Sequence, residues 1–109
     1  MKTLTSKLNA NDQLCNLRLD RMENEIQLVI KKLHSYHFEP CTNSLYERYN
    51  ELDQNWKRLK EAIRTTQDLI KLNSVSKAEI TKITNEIIHQ YNKFMDHSAQ
   101  YFSTALQHH

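Results

Sequence analysis

The 109-residue chain is 39% hydrophobic and 26% charged, with a formal net charge of +2. This fits one small folded domain and is too balanced for nucleic-acid recognition by charge alone. Glycine is absent and proline occurs once, at Pro40; primed hairpin turns, P-loops and dinucleotide cradles all need glycine, so the composition speaks against sheets and nucleotide sites and for long helices.

No apolar run approaches the roughly 18 residues of a membrane span. The opening MKTLTSKLNAND lacks the apolar core of a secretory signal. Two cysteines, Cys15 and Cys41, make no disulfide framework. The expectation is a cytoplasmic or nuclear chain.

The first helix is expected over about residues 11–38, capped by Asn11 or Asp12. Its apolar seam, Cys15, Leu19, Met22, Ile26, Val29, Leu33 and Tyr36, steps by four and three, which is heptad spacing. The spacing continues back to Leu8 and Leu4, but the composition there is polar, and residues 1–10 are expected to fray. Pro40 disfavours helical backbone at Glu39, and PCTN reads as a loop.

Ser44 and Glu47 match a capping box, S-x-x-E, and start a second helix expected over 44–72. Its seam is Leu45, Tyr49, Leu52, Trp56, Leu59, Ile63, Thr66 and Ile70. Trp56 is the sole tryptophan; as a core residue it would bury on the order of 200 Å². Asn73, Ser74 and Val75 form the next joint. Ser76 with Glu79 is a second capping box.

The third helix is expected over 77–107. Its apolar line is Ile80, Ile83, Ile87, Tyr91, Phe94, Ser98, Tyr101 and Ala105. Further apolar positions, Leu17, Leu28, Ala62, Leu69, Ile88 and Leu106, widen the stripes, as suits a helix touching two neighbours. Short joints make sequential helices antiparallel. The expected fold is therefore all-α: an up-down-up three-helix bundle with coiled-coil packing, spanning 1–109. The core is expected to rest on Met22, Ile26, Val29, Leu52, Trp56, Leu59, Ile63, Ile83, Ile87 and Phe94.

Chemistry is thinly marked. His34, His37 and Cys41 have donor types that suit zinc, but a structural site wants four ligands, and no second Cys/His pair lies near in sequence. Cys15 reads as a small buried hydrophobe. His89, His97, His108 and His109 are scattered and receive no role. No nucleophile stands beside a base in a recognisable motif, so neither an enzymatic activity nor a cofactor is expected. The cluster Lys57, Arg58, Lys60 and Arg64 is the candidate docking patch for an acidic protein or lipid surface. Its plain alternative is a solvated face complementing the helix dipole.

The stretch LDQNWKRLKEAI, Leu52–Ile63, resembles the last helix of a spectrin repeat, where a seam tryptophan is followed three residues on by leucine. Val75–Phe102 is similar to the segment of spectrins and α-actinins that leads from the final repeat into a calcium-binding hand, with Phe94, Asp96, His97 and Ser98 in comparable places. An EF-hand loop needs a central glycine and a closing glutamate. Ala99 stands where that glycine would be and no glutamate follows, so calcium binding is not implied. The three helices also resemble the N-terminal bundles of syntaxin-type fusion proteins.

These resemblances imply a non-enzymatic interaction or spacer module in a cytoskeletal or scaffold setting, meeting other proteins, or itself, through helical faces. The alternative is a small obligate subunit of a larger helical assembly, such as a kinetochore, vesicle-tethering or transcription-bridging complex. Outer leucines left exposed would favour the alternative.

Overall fold

The structure, a computed structural model, describes residues 10–107, with side-chain surroundings given from Gln13 onward. The readings made for residues 1–9 and for His108 and His109 lie outside it. Three long helices form one bundle, with no strand among the described residues: α1 is Ala10–Leu33, α2 Asn43–Leu72 and α3 Lys77–Gln107. The body measures 57 × 24 × 16 Å.

Cross-helix contacts give the directions. Asp20 meets Gln67, Glu23 meets Arg64, and His34 meets Asp53. Numbers rise along α1 as they fall along α2, so the two run antiparallel. On α3, Tyr91 meets Glu25 and Phe102 meets Phe38, so α3 runs parallel to α1.

The core follows the seams with local shifts. Cys15, Leu19, Met22, Ile26 and Leu33 are buried on α1, and Leu45, Leu52, Leu59, Ile63, Thr66 and Ile70 on α2. On α3, Ile80, Ile87, Phe94, Ser98, Tyr101 and Ala105 are buried. The seam drifts by one residue in two places: Ile30 is buried and Val29 only partly, and Thr84 is buried beside a half-buried Ile83. An α-helix has 3.6 residues per turn, so a strict heptad line rotates off the core unless the helix supercoils.

Four expectations about element ends and core are corrected. Asn11 and Asp12 lie inside α1, past its first described residue. α1 stops at Leu33, short of residue 38. Ser35 turns its hydroxyl back to the Lys32 carbonyl at 2.7 Å, and its own amide bonds the same carbonyl at 3.1 Å. Such local bonds compete with helix continuation. A single 3-10 turn, Tyr36–Phe38, follows. It turns Tyr36 outward, 77% exposed, and buries Phe38 against the Phe102 ring, 4.7 Å away.

Ser44 lies within α2, not at its cap. Thr42 holds extended backbone, and its Oγ1 accepts from the Leu45 amide at 3.1 Å. Thr42 is therefore the cap and Leu45 sits three residues on, so no glutamate completes a box. At the other joint Ser76 Oγ accepts from the Glu79 amide at 3.2 Å, as expected of a cap. Asn73 takes the left-handed conformation, φ 53°. Its amide bonds the Ile70 carbonyl and Ser74 reaches Leu69, a Schellman closure. In a chain without glycine, asparagine is the residue that tolerates this position best.

Trp56 is the fourth correction. It is half-buried and packs against the core without belonging to its sealed interior.

Candidate functional site

The basic cluster divides. At 3.6 residues per turn, Lys57, Lys60 and Arg64 share one face of α2 while Arg58 lies about 100–160° away from them. Each member of the trio meets a neighbour: Lys57 reaches Asp53 at 3.5 Å, Arg64 reaches Glu23 of α1 at 3.4 Å, and Lys60 stands 5.5 Å over the Trp56 ring. Arg58 points the other way and lines the groove between α2 and α3. The four residues do not present one continuous patch.

Trp56 belongs to a polar clasp between α1 and α2. Its indole N–H donates to Asp53 Oδ1 at 3.0 Å, and His34 Nε2 lies 2.9 Å from the same oxygen. Burial by itself would raise the Asp53 carboxyl. The hydrogen bonds from His34 and Trp56, with the Lys57 charge, outweigh it and hold the group below the usual carboxylate range. The Tyr49 ring lies 6.1 Å from His34. The clasp engages His34 with Asp53. Among the described residues no three His, Cys, Asp or Glu side chains converge as metal ligands.

Two tyrosines tie α3 to its neighbours. Tyr91 donates to Glu25 at 2.6 Å, and Tyr101, almost sealed, donates to the Phe38 carbonyl at 2.7 Å. Burial pushes both phenols up to about 12, helped by the Glu25 hydrogen bond at Tyr91 and by the Tyr49 and Cys41 charges at Tyr101. Asp96, His97 and Ser98, the residues compared with a calcium-binding hand, lie on uninterrupted α3 helix.

A concave groove of about 800 Å³ runs along the outer seam of α2 and α3. Its floor is Ala62, Leu69, Ile83 and Ile87. Its rim carries Arg58, Glu61, Glu79, Lys82 and Glu86. The groove continues past Arg58 and Ile87 into a second hollow of about 430 Å³ that reaches Phe94 and His97. An apolar floor with a charged rim is the form of a helix-accepting surface.

On the far side, α1 exposes Leu14, Leu17 and Leu28 at 54%, 53% and 69%. Leu14 was not among the residues expected to matter. The signal was legible: Leu14, Leu17 and Leu28 fall on heptad positions of their own, out of phase with the core seam.

No helix among the described residues is long and apolar enough to cross a membrane. No protein-family model, curated protein or solved structure matches this chain.

Proposed function

We propose that the chain is a non-enzymatic helical interaction module that docks a partner helix in its α2–α3 groove. The observation that carries this reading is the groove itself: an apolar floor along two long helices, left uncovered by the described residues. Between the two forms of the proposal, the exposed leucines of α1 favour a small subunit of a larger helical assembly. A leucine at heptad spacing gains most when a second helix covers it. The spectrin-like spacer in a cytoskeletal or scaffold setting is the second reading, supported by the 57 Å length of the body. A cytoplasmic or nuclear setting belongs to both.

The test is a titration of ¹⁵N-labelled protein with a synthetic basic amphipathic helix carrying leucines at heptad spacing. Amide shifts concentrated at Ala62, Leu69, Ile83 and Ile87 are expected. Shifts scattered over the surface, or none, would remove the groove as a docking site.

A further inference from the structure

Both halves of a helix-in-groove contact are present on this one chain. On α1, steps of three and four lead from Leu14 through Leu17, Arg21, Asn24 and Leu28 to Lys31. All six positions are exposed. At 3.6 residues per turn they occupy an arc of about 100°, centred roughly opposite the buried line of Cys15, Leu19, Met22 and Ile26. This is an outward seam. It holds two cations and no acid.

The groove lies across the bundle from α1. Its wide end has Glu61, Glu79 and Glu86 against Arg58 and Lys82, an excess of one negative charge (three acids less two bases), and the narrower end adds Lys93 beside Glu86. The lengths also agree. Leu14 to Leu28 spans about 21 Å of helix, and Glu79 to His97, along the groove, about 27 Å. Leucines facing an apolar floor are complementary in shape, and Arg21 and Lys31 are complementary in sign to the glutamates of the wide end.

We propose that the groove accepts the outward seam of α1 from a second copy of the same chain. This rests on the reading of the groove as a helix-docking surface. Donor and acceptor faces differ and lie on opposite sides of the bundle. The contact is therefore head to tail, and one copy can donate and accept at once. Association then does not stop at two.

The experiment is sedimentation velocity of the full chain from low micromolar to near-millimolar concentration, with two variants checked for helix content by circular dichroism. The donor-blocked variant carries Leu17→Glu and Leu28→Glu. The acceptor-blocked variant carries Glu79→Lys and Glu86→Lys. All four sites are exposed, so the fold should survive. The unmodified chain is expected to grow past dimer as concentration rises. Each variant alone is expected to stay monomeric. Their equimolar mixture is expected to form a 1:1 complex and go no further, because it keeps one intact seam and one intact groove.

An unmodified chain that stays monomeric throughout overturns the proposal, as does a dimer that halts at two and that neither variant disrupts. In either case amide shifts in the groove with the synthetic helix would leave the docking reading standing. Without such shifts both fall.

Discussion

The Tyr101 hydroxyl donates to the backbone carbonyl of Phe38 across 2.7 Å, inside the bundle and 63 residues away in sequence. This bond anchors the turn after α1 onto α3. It also fixes Phe38 beside Phe102, with the Lys32 ammonium 5.2 Å and 4.7 Å from the two ring centroids. Removing the hydroxyl leaves a buried carbonyl without its donor. Tyr101→Phe should lower unfolding stability by about 1–3 kcal/mol, read as a reduced urea midpoint at unchanged slope. An unchanged midpoint would mean the turn is held by ring packing alone.

Alkaline pH should loosen the bundle through the same tyrosines. The Tyr91 and Tyr101 phenols are pushed up to about 12 in the folded chain, against about 10 when unfolded. Between those values the folded chain binds more protons than the unfolded one, so stability falls as pH rises. It is fully present below pH ~10 and lost through pH ~12. Urea melts at stepped pH should show this fall, and it should be shallower in the Tyr91→Phe, Tyr101→Phe double variant. Equal slopes in the two proteins would place the alkaline sensitivity elsewhere.

Trp56→Ala should cost about 2 kcal/mol, less than the about 3–5 kcal/mol of a fully buried aromatic. The ring is half-buried, and part of the loss is the hydrogen bond to Asp53. Trp56→Phe keeps the packing and drops the N–H, so it should fall between wild type and alanine. Thermal melts of the three proteins check the order. A phenylalanine variant as unstable as alanine would make the clasp, and not the ring's area, the larger contribution.

The caps separate two positions that look alike in sequence. Thr42→Ala and Ser76→Ala should each cost about 1 kcal/mol, since each hydroxyl accepts from an amide at a helix start. Ser44→Ala should change stability by less than about 0.5 kcal/mol, because Ser44 is exposed inside α2. Chemical denaturation of the three variants decides it. A loss at Ser44 as large as at Thr42 would move the helix start back to the capping box.

Ser98 offers the opposite sign. Its hydroxyl and that of Thr84 are buried on α3 without a hydrogen-bond partner among the described residues. Ser98→Ala removes a desolvated polar group and improves helix propensity, so it should stabilise the chain by about 1 kcal/mol. A raised melting temperature is the readout. A lowered one would show that the hydroxyl fills a packing role alanine cannot.

Several features of the bundle were legible in the residues because they are local. Absent glycine, one proline, three runs with apolar steps of three and four, and the Ser76 cap required no knowledge of the neighbours. What the neighbours decide was not legible. Val29 and Ile30 are adjacent and equally apolar, and only the placement of α2 and α3 buries the second. A helix through Phe38 was a fair reading of its spacing, until a place against Phe102 and a donor from Tyr101 made a break at Ser35 the better solution. Trp56 sat on the seam, yet Asp53, itself bonded to His34, holds its indole at the rim.

The same division holds for the candidate site. Lys57, Arg58, Lys60 and Arg64 are close in sequence, but helical rotation sends Arg58 into the groove, Arg64 to Glu23 of α1, Lys60 over Trp56 and Lys57 to Asp53. The groove could not be read at all, since Ala62 and Ile83 come together only when α2 and α3 lie antiparallel. The outward leucines of α1 were present in the spacing from the start. Periodicity tells which residues share a face, because that is the geometry of one helix. Which face is covered depends on where the other helices stand, and that only the tertiary structure decided.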